Sequence, residues 1–166
     1  ALKLYKNCLE LYYNKEDILK EIADIYIYEG NYREAGNILE KIVEDSIIED
    51  VEVLEKIAIV NERIGNIDKA FYYMDKTLKL EPDNVSFISM TALLAFKKGD
   101  LNYSYNLFKK LLDKDFKSFE VYYYLGIIEL NRFRFTLARS YFEKALELNP
   151  NKNEVKYFLA LIYAFE

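Results

Sequence analysis

Residues 119–152 read FEVYYYLGIIELNRFRFTLARSYFEKALELNPNK, and this stretch of 34 residues decides the fold. Apolar or small residues recur in it at steps of three, four and seven, in the two runs 122–126 and 138–146. Such steps are typical of helices with one apolar side. The polar segment 131–134 separates the two runs, and a proline flanked by asparagines at 149–151 ends the second. The stretch therefore predicts two antiparallel helices joined by a turn.

The same punctuation repeats along the chain. Three times a glycine stands five residues before a small residue, at spacings of 35 and 34 residues: Gly30 with Ala35, Gly65 with Ala70 and Gly99 with Ser104. The two prolines, Pro82 and Pro150, lie 68 residues apart, which is twice the shorter period. Glycine can end a helix in the left-handed conformation and proline blocks helix continuation, so both mark helix ends. A fixed period of this length indicates a solenoid of repeated helix pairs.

These units resemble tetratricopeptide repeats, a family whose 34-residue pattern has small residues at positions 8, 20 and 27, glycine at 15 and proline at 32. In that frame the small residues are Ala23, Ala58, Ala92, Gly126 and Ala160 at position 8, and Ala1, Ala35, Ala70, Ser104 and Ala138 at position 20. Small residues allow two helix backbones to approach closely where they cross. The core between the repeats is expected to contain the larger residues Leu19, Leu54, Ile88, Tyr122, Tyr5, Leu39, Met74, Phe108 and Phe142.

The resemblance implies an all-α fold, a right-handed superhelical solenoid of antiparallel helix pairs. One solenoid domain is expected over residues 1–166. Its expected parts are a second helix of a partial repeat at 1–15, whole repeats at 16–50, 51–84, 85–118 and 119–152, and a first helix of a partial repeat at 153–166. On this frame we expect a fragment of a larger repeat array.

Composition disfavours most chemistries. The chain has no histidine, which removes the commonest general base and zinc ligand near neutral pH. Cys8 is the single cysteine, at a packed position of the frame, so we expect a buried, inert thiol. A formal net charge of −5 offers no basic footprint for nucleic acid, no apolar run is long enough to span a membrane, and no glycine-rich phosphate loop is present. We therefore predict no enzymatic activity, no catalytic residue, no cofactor and no metal.

Three positions depart from the family pattern. Phe133 replaces the turn glycine, and Asn61 and Glu129 stand at position 11, where an aromatic residue is usual. Because buried charges are normally paired, we expect Arg132 or a nearby lysine to neutralise Glu129, with a functional carboxylate as the alternative. Phe133 is a candidate for an exposed recognition residue, whereas Phe135 is expected to pack.

In the family, residues at positions 2, 5, 9, 12 and 13 of the first helices line a concave groove. In the last three first helices these positions present seven apolar residues, which we term the apolar face: Leu93, Phe96, Tyr123, Ile127, Leu130, Tyr157 and Leu161. In the first two whole repeats they are mostly charged, and we term them the acidic face: Asp17, Lys20, Asp24, Glu52 and Glu55. Successive helical residues differ by about 100°, so Tyr122 is expected to point into the core, Tyr123 into the groove and Tyr124 to the flank.

The resemblance implies a scaffold that binds a peptide or an amphipathic helix of another protein in its concave groove. One alternative is a homo-oligomer that pairs through exposed ends, at Leu2, Tyr5 and Leu9 or at Phe158, Leu159 and Phe165. Another is a regulatory segment of a larger protein, and further helices covering the apolar face are a third reading. A clamp for the carboxylate terminus of chaperones is not expected, because the Lys and Asn that it needs at positions 5 and 9 are Lys20 and Asp24 here.

Overall fold

The computed structural model describes residues 15–165, which form nine helices and no strand. The helices are α1 Lys15–Tyr28, α2 Tyr32–Asp45, α3 Val51–Arg63, α4 Ile67–Leu80, α5 Val85–Lys98, α6 Leu101–Asp113, α7 Phe119–Asn131, α8 Phe135–Leu148 and α9 Asn153–Phe165. The predicted all-α fold of helix pairs is confirmed. The predictions for Ala1, Leu2, Tyr5, Cys8 and Leu9 lie outside the described residues.

The described residues divide into two compact units, with the division between Phe87 and Ile88. Within the first unit, α1 packs on α2, α2 on α3 and α3 on α4. Within the second, α6 packs on α7, α7 on α8 and α8 on α9. The Ser104 hydroxyl of α6 donates a hydrogen bond of 2.9 Å to the Ala92 carbonyl of α5. Packing between sequential neighbours is how stacked repeats bury their apolar sides.

The small residues predicted at the helix crossings are buried throughout the whole repeats: Ala23, Ala35, Ala58, Ala70, Ala92, Ser104, Gly126 and Ala138. Of the described glycines, Gly126 at the α7–α8 crossing leaves the least room for a side chain. A Cβ on Gly126 would lie 2.6 Å from Cε1 of Phe142. Ala160 differs, since it is exposed on α9. That helix instead buries Val155, Leu159 and Ile162, which lie in one cluster with residues of α8.

The larger core residues are also buried as predicted: Leu39, Leu54, Met74, Ile88, Phe108, Tyr122 and Phe142. Leu19 is the exception among the described residues of this set, because it is only partly buried. It packs at the edge of a cluster formed by α1, α2 and α3, whose buried members include Ala23, Leu39 and Ile57.

The first helix of a pair ends in a recurring backbone pattern. Gly99, with φ of +91°, and the residue after it donate hydrogen bonds of 3.0 and 2.9 Å to carbonyls in the last turn of α5. These two bonds form a Schellman ending. Phe133, with φ of +57°, and Arg134 make the same two bonds to α7, at 3.0 Å each. A phenylalanine thus occupies a left-handed position, which is unfavourable for any residue with a Cβ.

Candidate functional site

The centre of the apolar face lies on α7. Tyr123, Ile127 and Leu130 follow one another along this helix and are partly buried against a cluster of α8 and α9. The buried members of that cluster are Ala138, Phe142, Val155, Leu159 and Ile162. Because the three α7 side chains are only partly covered, their outer sides form an apolar surface within the second unit.

Aromatic rings surround Tyr123. Its ring centroid lies 5.6 Å from that of Phe119, 6.4 Å from Phe142 and 6.5 Å from Phe158. Burial, and then the negative charge of Glu154, raises the pKa of the Tyr123 hydroxyl. The phenol therefore stays protonated near neutral pH, and the ring belongs to the apolar surface as an uncharged group.

The three consecutive tyrosines of α7 take three different environments. Tyr122 is buried, as predicted, and Tyr123 is partly covered. Tyr124 lies between two rings of the preceding helices, with centroid distances of 4.9 Å to Phe96 and 5.4 Å to Phe108. Phe96 is therefore held beside α7 by Tyr124, so only part of its ring contributes to the apolar face.

The remaining members of the apolar face lie on the helices α5 and α9. Leu93 and Leu161 are half-buried, and Tyr157 is 62% exposed. The Tyr157 ring lies 6.0 Å from that of Phe158 on the same helix. These residues share the surface of the second unit with the α7 group but do not line the depression at the end of α7.

An open depression of about 380 Å³ lies at the C-terminal end of α7, lined by Ile127, Leu130, Asn131, Phe133 and Phe158. It joins two apolar-face residues to Phe133, the recognition candidate at the turn, which is 80% exposed. Phe158 also lines the depression, although from its sequence position we expected it among the residues exposed at the chain end. Its ring stacks on Phe142 of α8 at 5.3 Å, a contact between helices that periodicity alone does not reveal.

A buried carboxylate lies beneath this turn. Glu129 is fully buried, and it accepts hydrogen bonds of 3.0 Å from Arg132 and 3.4 Å from Arg134. Arg132 also donates a hydrogen bond of 2.7 Å to Asn102 and lies 4.5 Å from the Tyr105 ring centroid, both on α6. The expected neutralisation of Glu129 by Arg132 is confirmed, and Arg134 is a second partner that was not expected.

Charged residues of the acidic face join α1 to α3 within the first unit. Lys20 of α1 donates a hydrogen bond of 2.7 Å to Asp50, the residue that caps α3. The other oxygen of Asp50 accepts from the backbone N–H groups of Glu52 and Val53. The hydrogen bond from Lys20 lowers the pKa of Asp50, and the hydrogen bonds to Asp50 and Glu16 raise the pKa of Lys20.

A second lysine makes an equivalent bridge. Lys56 of α3 lies 2.7 Å from Asp24 of α1 and 2.8 Å from Glu52 of its own helix. Burial alone would lower the pKa of Lys56, but the hydrogen bonds to Asp24 and Glu52 outweigh it and raise the pKa. Lys20, Asp24 and Glu52 of the acidic face are thus engaged in an ion-paired seam between two helices, which we term the α1–α3 seam.

Residues 15–165 were compared with the requirements of a membrane span and of a metal site, and they meet neither. None of the helices in this range has the length and apolar character needed to cross a membrane. The same residues contain no group of three or more cysteine, aspartate or glutamate side chains placed to hold a metal ion. The features that stand out in the described part of the chain are therefore the apolar face, the turn at Phe133 and the α1–α3 seam.

Sequence comparison identifies relatives of the repeat and of the chain. Residues 119–152 match the family model for the tetratricopeptide repeat. The chain is 26% identical over 152 residues to TPR repeat-containing protein MJ1428 of Methanocaldococcus jannaschii, covering 92% of this chain and 26% of that protein. It is 29% identical over 180 residues to human protein O-mannosyl-transferase TMTC1, covering 100% of this chain and 19% of that protein. The chain thus spans about a quarter or less of the length of these curated relatives.

Solved structures share the fold. A structure of MamA (AMB-1) has a TM-score of 0.76 and 26% sequence identity, covering 88% of this chain and 79% of that chain. YrrB, described as a TPR protein with an unusual peptide-binding site, has a TM-score of 0.82 at 17% identity, covering 94% of this chain and 80% of that chain, and shows the fold alone. Residues 119–152 thus match a tetratricopeptide repeat, and the described helix pairs share the fold of these tetratricopeptide-repeat structures.

Proposed function

We propose that this chain is a non-enzymatic protein-interaction scaffold whose second unit binds an apolar segment of another protein on the apolar face. The observation that carries the proposal is the row of incompletely covered apolar side chains on the first helices α5, α7 and α9. Large apolar groups that stay open to water on a folded protein often mark an interaction surface. The tetratricopeptide fold is a common framework for such surfaces, because stacked repeats present a long continuous face.

The expected occupant is a peptide or an amphipathic helix with apolar anchors at regular spacing. Tyr157 offers an exposed ring, and the depression beside Ile127 and Leu130 offers room for an apolar side chain. Helical scaffolds commonly hold segments of this kind, with a few anchors supplying specificity. That a protein of the same fold, YrrB, is described with a peptide-binding site supports this choice of ligand class.

A selection with defined peptides tests this function. A phage library of random 12-residue peptides is panned on the full chain and then on the variant Tyr157→Glu. We expect enriched sequences with regularly spaced Leu, Ile, Phe or Trp, and at least a tenfold loss of their retention on the variant, because a buried carboxylate opposes apolar contact.

The matched control is Leu148→Glu. Leu148 lies on the second helix α8 with 51% of its surface exposed, close to the value for Tyr157, but outside the apolar face. The control should retain the peptides. Equal retention on the Tyr157 and Leu148 variants, or no enrichment at all, contradicts the proposal.

Homo-oligomerisation is the second candidate, favoured by the open side of α9. Phe165 is 75% exposed and Ala160 is also exposed, while Leu159 is buried, against the expectation that it lies open at this end. The Phe165 ring stacks on Phe135 of α8 at 6.2 Å, and a second copy packing on the end of α9 would cover the part of that ring that stays exposed. Light scattering across a concentration series decides: a dimer that Phe165→Glu converts to a monomer supports assembly, and a monomer at all concentrations rules it out.

A further inference from the structure

Phe133 combines two unfavourable features. Its side chain is 80% exposed, and its backbone has φ of +57°. In other turns of this chain the residue with positive φ is a glycine, as at Gly99. Backbone outliers persist where the surrounding structure holds them, and they concentrate at functional positions.

The surrounding structure holds Phe133 from both sides. Its two neighbours in sequence, Arg132 and Arg134, both donate to the buried carboxylate of Glu129. Arg132 is further tied to Asn102 of α6 by a hydrogen bond of 2.7 Å. The exposed ring is therefore presented by a fixed backbone. Binding of a partner to this ring then costs less conformational entropy than binding to a mobile turn would.

The ring stands at the edge of the apolar depression. Ile127 and Leu130 of α7 and Phe158 of α9 line the same depression as Phe133. An apolar side chain that enters it would contact all four residues. Asn131 is the polar residue of the lining, and its side-chain amide donates to the Ile127 carbonyl at 2.9 Å.

The turn also carries a net positive charge. Two guanidinium groups face one carboxylate, Glu129, so one positive charge is left over. Arg132 makes the shorter contact with Glu129 and its side chain is mostly covered, whereas the Arg134 side chain is 58% exposed. Arg134 is therefore the group able to reach an anionic partner group.

We infer that the Phe133 tip, defined as Ile127, Leu130, Phe133, Arg134 and Phe158, binds an apolar side chain of the partner segment that has a carboxylate next to it. The apolar side chain enters the depression against the Phe133 ring, and the carboxylate pairs with Arg134. This inference rests on the proposed function and specifies where on the second unit one anchor of the partner lies and which charge accompanies it.

Two defined libraries test the inference. In both, half of the 12 peptide positions are drawn from Leu, Ile, Phe and Trp. The other half are drawn from Asp, Glu and Ser in the acidic library, and from Lys, Arg and Ser in the basic library. Each is panned on the full chain and on the variants Phe133→Gly, Arg134→Gln and Tyr157→Glu, with Tyr28→Ala, an exposed aromatic residue of the first unit, as the control.

We expect the acidic library to enrich on the wild-type chain and on Tyr28→Ala. Enriched peptides should lose at least tenfold in affinity on Phe133→Gly, and Arg134→Gln should remove their advantage over neutral versions in which Asp and Glu are replaced by Ser. Phe133→Gly restores the turn residue of the sister repeats, so a loss of binding there is not a loss of folding.

The outcomes separate the two proposals. Peptides that lose affinity on Tyr157→Glu but bind Phe133→Gly and Arg134→Gln normally leave the apolar face as the binding surface and overturn the tip. Enrichment of the basic library alone also overturns the tip. Peptides that bind all variants equally, or no enrichment from either library, overturn both proposals.

Discussion

Single residues decide how the α7–α8 turn is made and what it displays. Where Gly99 supplies the left-handed residue after α5, Phe133 supplies it after α7 with the same two backbone hydrogen bonds. The hydrogen bonds are equivalent, but a Cβ in this conformation costs about 1–2 kcal/mol. The turn is therefore less stable than it would be with glycine. Unlike glycine, however, Phe133 places an aromatic ring on the surface.

Replacing Phe133 by Gly should raise the free energy of unfolding by about 1 kcal/mol. The relief of the left-handed backbone exceeds the loss of the edge contact with Phe135, whose ring centroid lies 6.4 Å away. Urea unfolding followed by far-UV circular dichroism measures the change.

The reciprocal control is Gly99→Ala. A Cβ at Gly99 would meet no atom within 4 Å, so only the backbone conformation penalises the change. It should lower the free energy of unfolding by about 1 kcal/mol. A Phe133→Gly variant no more stable than the wild type would show that this turn is not strained by its side chain.

For single residues, the sequence predicted which positions are unusual better than it predicted which side chains contact them. Phe133 could be recognised because a glycine is expected there. The Glu129–Arg132 pair could be recognised because a buried charge needs a partner and Arg132 follows only three residues later. The contact of Arg134 with Glu129 could not be predicted, because it depends on the left-handed turn between the two residues. Phe158 was missed because its stacking on Phe142 is a contact between different repeats.

Helix pairs are positioned by small residues at their crossings. In the α7–α8 pair Gly126 faces the ring of Phe142, and in the first unit Gly36 of α2 faces Val60 of α3. The clearances differ: an added Cβ would lie 2.6 Å from the Phe142 ring but 3.3 Å from the Val60 methyl group. The same substitution is therefore expected to have different effects in the two places.

Gly126→Ala should lower the free energy of unfolding by about 1–3 kcal/mol, the usual range for overpacking a core. Gly36→Ala should stay within about 1 kcal/mol of the wild type, because the gain in helix propensity offsets a mild contact. Thermal unfolding of both variants checks the pair of predictions. Equal effects at the two sites would mean that the α7 and α8 backbones separate without penalty.

The α1–α3 seam makes the first unit sensitive to pH. The pKa of Asp50 is lowered in the folded chain, so its stabilisation is present above the unfolded value of about 3.9 and is lost as the pH falls through the folded value. The pKa of Lys20 is raised, so its stabilisation is present below about 10.4 and is lost as the pH rises through the folded value.

Lys20→Met should therefore lower the free energy of unfolding by about 0.5–1 kcal/mol at pH 7, a modest value because both partners are partly exposed. The difference from wild type should shrink below pH 4 and above pH 10, as measured by urea unfolding across the range. Lys41→Met, at an exposed position of α2, is the control and should show no such dependence. A Lys20 difference that is constant with pH would argue against the seam.

At the scale of the whole chain, the period of the sequence predicts the fold almost completely. Gly65, Pro82 and their counterparts mark the helix ends, and the small residues mark the crossings, so the helix pairs follow from residue positions alone. The properties of the surfaces are predicted less well. A position in the repeat indicates on which side of the helix a residue lies, but not which residues its side chain contacts. Lys20 and Lys56 show this, since the charged residues around them form ion pairs rather than an open surface.

The central claim is that the apolar face of the second unit holds an apolar segment of another protein, and the affinity of one selected peptide for a double variant tests it most directly. Fluorescence anisotropy compares the wild-type chain with Leu93→Glu/Tyr123→Glu, while circular dichroism follows the helix content of both. We predict a Kd at least about tenfold weaker for the variant, as for residues that anchor an interface, with unchanged helix content. An unchanged Kd in a folded variant would contradict the claim.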